Sequence, residues 1–237
     1  LRYALYFSPA ADHPLTKTAS RWLGRDAFTG ETFPTPEVVD LSTEEVHALT
    51  ADPRRYAFHA TLKAPFELAD GKSEADLIEA FEAFAAETQA FDIPNVVVGQ
   101  LGLFFALVPD QVYPELQAFA ARIVEDFEPF RAPLSDADIA RRKPETLSPQ
   151  HRDNLMRWGY PHVLDEFRFH MTLSGQVSPE QAPAMRAAIE PRFAAFINKP
   201  LSIDGVALFV EPARGADFIA YRWLPLQPAS EIRKTAP

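Results

Sequence analysis

The chain has 237 residues, 47 % of them apolar, no cysteine and a formal net charge of −10. That composition allows a core of ordinary size and excludes disulfide frameworks and thiolate metal sites. The acidic balance disfavours extended nucleic-acid backbones as partners, since those need a basic surface, but leaves room for a small phosphorylated substrate in a local cationic pocket. No apolar run reaches the length of a membrane span, and no N-terminal stretch reads as a signal peptide. A cytoplasmic protein with no membrane partner is therefore expected. Nothing in the sequence sets the oligomeric state.

Arg2 to Phe7 reads as a strand, and Leu15, Ala19, Trp22 and Leu23 follow helical spacing up to a stop at Gly24. Residues 25–40 are rich in turn formers. Ser42 and Glu45 make a capping-box pattern for a short helix to about Leu49. A strand is expected from about Arg55 to Leu68. Ser73 and Asp76 then open a helix with the stripe Leu77, Ile78, Phe81 and Phe84. Residues 92–108 read as extended, with Gly99 and Gly102 marking a bulge or turn. Pro114 starts a helix carrying Leu116, Phe119, Ile123 and Phe127, ended by Pro129.

Residues 131–166 break the pattern with two short helices, introduced by Ser135 and by Ser148-Pro149, the second ending at Trp158-Gly159. This stretch reads as an insertion and a candidate lid. A second extended stretch follows around residues 167–174. Ser178-Pro179-Glu180-Gln181 is a capping box before a helix with Met185, Ile189, Phe193 and Phe196. A hairpin is expected from Leu201–Val210 and Phe218–Leu226, turning at residues 213–215, with a frayed tail after Pro228.

One pentapeptide occurs twice: Phe58-His59-Ala60-Thr61-Leu62 and Phe169-His170-Met171-Thr172-Leu173. Around each copy apolar residues alternate with polar ones, the period of a half-buried strand. The alternation puts His59 and Thr61 on one outward face with Lys63, and His170 and Thr172 on another with Arg168. Each half then reads motif strand, helix, strand pair. The chain is thus a single bilobal domain over 1–237, with a first lobe at about 52–108, a second at about 167–227 and the insertion at about 131–166.

If the outward faces meet across a cleft, one site holds two imidazoles, two hydroxyls and flanking cations. That set suits phosphoester cleavage: a neutral His takes a proton from the attacking oxygen, a protonated His gives one to the leaving alkoxide, and hydroxyls and cations hold the phosphate. The candidate catalytic residues are His59 and His170. Candidate phosphate or substrate contacts are Thr61, Thr172, Lys63 and Arg168, with Tyr6 on a neighbouring strand and Arg131 and Tyr160 in the insertion. With no carboxylate in either motif, neither a metal nor another cofactor is expected.

Paired His-x-Thr motifs in a duplicated α+β chain resemble the two-histidine (2H) phosphoesterase superfamily, which includes RNA 2′,3′-cyclic phosphodiesterases, RNA 2′–5′ ligases and related small-molecule enzymes. The longer strings at 54–66 (RRYAFHATLKAPF), 130–135 (FRAPLS), 158–161 (WGYP) and 166–173 (EFRFHMTL) resemble a bacterial subfamily named for phosphonate metabolism. The resemblance covers nearly the whole chain. It implies an α+β fold of two pseudo-symmetric lobes, antiparallel sheets facing a central cleft and helices outside. It also implies a metal-independent activity with His59, Thr61, His170 and Thr172 as the active set, opening a small cyclic phosphate such as a ribose cyclic phosphate in phosphonate breakdown. Three other readings stay open: an RNA cyclic phosphodiesterase or ligase, a non-catalytic protein that binds a phosphorylated metabolite, and a metal hydrolase using the two histidines as ligands.

Overall fold

Strand β1 (Arg2–Phe7) is buried along its whole length and runs through the middle of a four-stranded antiparallel sheet. Its neighbours are β2 (Ala60–Phe66) and β7 (Gly205–Glu211), and β8 (Ile219–Pro225) completes the order β2-β1-β7-β8. Alternate residues of β1 feed different clusters. Tyr3, Leu5 and Phe7 enter the main core, while Ala4 and Tyr6 join a smaller group with Ala57, Phe209 and Phe218. A strand covered on both faces reads as a continuous apolar run, as RYALYF does. The structure, a computed structural model, describes residues 1–229; the tail expected to fray after Pro228 lies outside them from Ser230 on.

The second sheet has four strands in the order β5-β4-β3-β6: β5 (Met171–Thr172), β4 (Phe104–Pro109), β3 (Phe91–Leu101) and β6 (Lys199–Ile203). β3 and β4 form a hairpin closed by Gly102-Leu103 between the paired Leu101 and Phe104. Gly102 at φ 60° takes the first central position, where a type II′ turn requires a glycine.

The helices follow their local signals. α1 (Pro14–Leu23) stops at Gly24 in the left-handed conformation, and α2 (Thr43–Leu49) and α4 (Glu74–Glu87) start from complete capping boxes at Ser42/Glu45 and Ser73/Asp76. α5 (Pro114–Asp126) and α8 (Ala182–Phe193) bury Leu116, Phe119 and Ile123, and Met185, Ile189 and Phe193. With Leu77, Phe81 and Phe84 of α4 these join the main core; each such side chain contributes roughly 1.5–3 kcal/mol by leaving water. In the insertion, α6 (Asp136–Arg141) and α7 (Pro149–Trp158) are capped by Ser135 and Ser148, as their sequence signals require. Among the described residues no helix is long and apolar enough to cross a membrane.

Three expectations change. The first motif strand begins at Ala60 rather than near Arg55, because residues before it form α3 (Ala51–Tyr56). The second shrinks to Met171–Thr172. The run Leu201–Val210 is not one hairpin arm: β6 belongs to the second sheet and β7 to the first. The chain crosses between sheets at Asp204-Gly205, where Trp223 fills the space that a Cβ on Gly205 would need, 2.1 Å from its position. The lobes are therefore interleaved, not consecutive at 52–108 and 167–227. β2, which follows His59, shares a sheet with the last two strands, and β5, which follows His170, shares one with β3 and β4.

Glu211, at the end of β7, locks this arrangement. Its fully buried carboxylate accepts from Arg2 at 2.5 Å, from Arg55 of α3 at 2.7 Å and from the Gly215 N–H at 2.9 Å. Removing one member of a buried charge group leaves the rest unpaired, at about 3–5 kcal/mol. Glu211→Ala is expected to lose stability on that scale in chemical denaturation.

Candidate active site

Each motif histidine lies just before its strand, and each is anchored the same way. After α3, Ala57 adopts φ 62°, ψ −180°, a region normally left to glycine that costs an alanine about 1–3 kcal/mol. This turns the Ala57 carbonyl onto His59 Nδ1 at 2.9 Å. The Arg168 carbonyl meets His170 Nδ1 at 2.7 Å. A carbonyl only accepts, so both rings carry their proton on Nδ1 and present the Nε2 lone pair. In His59 that lone pair accepts from the Thr61 hydroxyl at 3.1 Å. The β1–β2 register sets Tyr6 opposite Thr61, and the Tyr6 ring stacks on His59 with centroids 3.8 Å apart. His170 lies against Phe104 at 5.7 Å.

A cavity of about 340 Å³ joins these pieces. His59, Thr61 and Tyr6 bound it from the first sheet, Thr172 and Phe104 from the second, and Arg142 and Tyr160 from the insertion. His170 is not among the residues that line it; its ring lies beside that of Phe104, which does, and its charge pushes down the His59 pKa. Burial is the main influence on both rings. It lowers His59 to about 4, against the opposing Ala57 hydrogen bond, and lowers His170 against the Arg168 carbonyl. Burial also lifts the Tyr6 and Tyr160 hydroxyls above their ordinary range.

The cations expected at the site are elsewhere. A bulge in β2 pairs Thr61 with Tyr6 and Lys63 with Leu5, one step on β1 against two on β2. Lys63 thus turns inward, where Nζ donates to the Val124 carbonyl at 2.9 Å and to Glu128 at 2.8 Å. Arg131 is held by the same Glu128, at 2.6 Å. Arg168 precedes any regular strand, so the alternation fails there, and its guanidinium folds back onto the Asp165 and Phe167 carbonyls. Tyr6, Thr61, Thr172 and Tyr160 do line the cavity.

Sequence reasoning missed Arg142, Ser174, Gln176, Tyr56 and Asp52, which also line it. Ser174 was detectable, two residues past Thr172 on the same alternation. Arg142 sits in the run Arg141-Arg142-Lys143, where nothing local marks it out. Among the described residues no group of three or more His, Asp or Glu side chains is placed to hold a metal ion.

Two interleaved α+β lobes bring His59, Thr61 and Thr172 to one cavity, with the carbonyl-anchored His170 beside Phe104 of its wall, the arrangement of a two-histidine cleft protein. The chain belongs to the family described as "Protein of unknown function (DUF1045)", whose model matches residues 61–219. Two curated relatives are both named "Ribose 1,5-bisphosphate phosphokinase PhnN". That of Janthinobacterium sp. (strain Marseille) is 37 % identical over 97 % of this chain and 52 % of its own length. That of Laribacter hongkongensis (strain HLHK9) is 32 % identical over 98 % and 54 %. The chain spans about half the length of the curated relatives it matches. Among solved structures, a phosphoesterase overlaps 95 % of this chain and 98 % of its own at 13 % identity and a TM-score of 0.41. E. coli LigT complexed with 3′-AMP does so over 95 % and 98 % at 13 % identity and 0.40.

Two predictions follow from the geometry. Between pH 6.5 and 4 an unfolded chain holds a proton on this histidine that native His59 does not. Stability should therefore rise with pH across that window and fall as pH drops through it, by about 3 kcal/mol in all. Melting curves against pH should show a shallower slope in His59→Gln. Lys63→Met should lose about 1–3 kcal/mol of stability and leave turnover within about twofold; a large activity loss at unchanged stability would return Lys63 to the site.

Proposed function

We propose that the chain opens a small cyclic phosphate, a ribose cyclic phosphate of phosphonate breakdown, by acid–base catalysis between His59 and His170. The observation that carries this reading is the pair of carbonyl-anchored imidazoles, both with Nε2 unprotonated, one lining a cavity with Thr61 and Thr172 and the other beside Phe104 of its wall. The Nε2 of one imidazole takes a proton from water as its oxygen bonds to phosphorus. The bond from phosphorus to one ring oxygen breaks, and the other imidazole, protonated, gives its proton to that oxygen. The two rings exchange protons with solvent to start again. Burial favours the neutral form of both rings; the negative charge of a bound phosphate favours the protonated form the acid needs. Thr61 and Thr172 hydroxyls donate to the non-bridging oxygens.

The relatives' name supports a ribose substrate without making this chain a kinase. Its single Gly-Lys-Ser, Gly71-Lys72-Ser73, has Phe66 where a phosphate-cradling P-loop needs its first glycine. Ser73 instead caps α4. The kinase of the relatives' name is thus assigned to the half this chain does not span. Opening a ribose 1,2-cyclic phosphate at O2 leaves the phosphate on O1, the position phosphorylated in the compound for which the relatives are named.

The test is turnover of ribose 1,2-cyclic phosphate and of nucleoside 2′,3′-cyclic phosphates with chelator present. His59→Ala and His170→Ala should each lower kcat by roughly 10²–10⁴, and Thr61→Val and Thr172→Val by about tenfold. The rate profile should be bell-shaped in pH. Full activity in the double histidine variant would end this reading. Loss on chelation with recovery on adding metal would point to a metal hydrolase, and binding without product to a sensor.

A further inference from the structure

We propose that Tyr6 is a positioning residue that reserves His59 as the base of the reaction and leaves the acid's role to His170. This rests on the reading that the paired histidines open a cyclic phosphate.

The two imidazoles share an anchor but not a setting. His59 lies among aromatic rings from three elements. Tyr6 of β1 is stacked on it, with centroids 3.8 Å apart and planes 20° apart. Tyr56 of α3 and Phe209 of β7 stand at 6.3 Å and 6.2 Å. His170 has Phe104 at 5.7 Å, tilted by 56°. The Thr61 hydroxyl donates to Nε2 of His59, whereas among the described residues Nε2 of His170 has no hydrogen-bond partner.

Tyr6 is held by its ring. It is buried, 1 % exposed, and packs on Phe209 and Phe218 at 5.0 Å and 6.1 Å. Among the described residues its hydroxyl has no hydrogen-bond partner. The ring therefore does not depend on the hydroxyl for its place over His59.

These differences separate the roles. Rings that keep water from an imidazole disfavour its charged form, and a hydroxyl bonded to the lone pair favours the neutral one. The groups facing His59 are Tyr6, Tyr56, Phe209, Thr61 and, from the second motif, His170. None supplies a negative charge, and a proton on His170 adds a positive one. An aromatic face attracts a cation, but here it also excludes the water that a cation needs. His59, with a pKa lowered to about 4, keeps its Nε2 open for a proton from water. His170 has fewer rings about it and an unclaimed Nε2, and the other titratable groups near it are His59 and His162. It is the imidazole that a bound phosphate protonates. His59 then receives a proton from water as the water oxygen bonds to phosphorus. His170 delivers its own to the ring oxygen whose bond to phosphorus breaks.

Histidine NMR titration without substrate tests the part played by Tyr6. His59 should titrate near pH 4 in the wild type, and His170 above it. Tyr6→Ala opens His59 to water and should raise its proton affinity at least about tenfold, moving the acid limb of kcat/KM equally. Tyr6→Phe should restore the wild-type titration. Tyr6→Gln, which fills the space with a polar chain, should give the same shift as Tyr6→Ala if the smaller side chain prevents folding. A His59 titration unmoved in both would overturn the role of Tyr6. Catechol cyclic phosphate tests the division of labour, because its leaving phenolate needs less help from an acid than a sugar alkoxide does. The loss caused by His170→Ala should be at least about tenfold smaller on it than on ribose 1,2-cyclic phosphate, and the loss caused by His59→Ala should be equal on both. The reverse pattern, or equal losses from both variants on both substrates, would overturn the assignment. If no cyclic phosphate is turned over, the phosphodiesterase reading falls, and the titration alone decides whether Tyr6 holds His59 neutral.

Discussion

Two backbone carbonyls fix the orientation of both motif histidines. Ala57 and Arg168 each hold the Nδ1–H of the histidine two residues on, and each leaves Nε2 as the only nitrogen free to exchange a proton. For His59 the constraint is local strain, an alanine in a glycine-like conformation after a one-and-a-half-turn helix. Tyr6 stacked on the same ring blocks rotation away from that bond. A histidine free to turn would present either nitrogen and, in the proposed reaction, lose the alignment for proton transfer.

The interleaving of the sheets keeps the two histidines in register. Neither lobe is a contiguous piece of chain, since β2 is paired through β1 to strands more than a hundred residues later. Cross-ties complete the frame. The Trp22 indole donates to the Leu173 carbonyl at 2.7 Å, and the Gly175 N–H donates to the Leu49 carbonyl at 2.5 Å, both beside the second motif. A displacement of the second motif from α1 and α2 would break both bonds.

Charge is distributed sparingly around the site. Glu128 takes up Lys63 and Arg131, and Glu211 takes up Arg2 and Arg55. Burial favours the neutral form of both imidazoles and of the Tyr6 and Tyr160 hydroxyls. In a chain of net charge −10, Arg142 is the one Lys or Arg among the described residues that lines the cavity. In the proposed reaction an entering phosphate would favour the protonated form of the imidazoles it meets, coupling binding to readiness for proton transfer.

By itself the sequence determined the helices other than α3, the strand at Arg2–Phe7, the insertion with its serine caps, and the His-x-Thr pairs. All of these are written in signals a few residues long: capping boxes, left-handed glycines, 3.6- and 2-residue periods and one repeated pentapeptide. The tertiary structure decided what depends on partners distant in the chain. The bulge opposite Leu5 sends Lys63 inward, the break at Gly205 shares the final strands between two sheets, and the packing of the insertion brings Arg142 to the cavity. A period of two predicts faces only while a strand stays regular, and a side chain's charge is free only if nothing else in the fold has claimed it. Neither condition is visible within a local stretch of sequence.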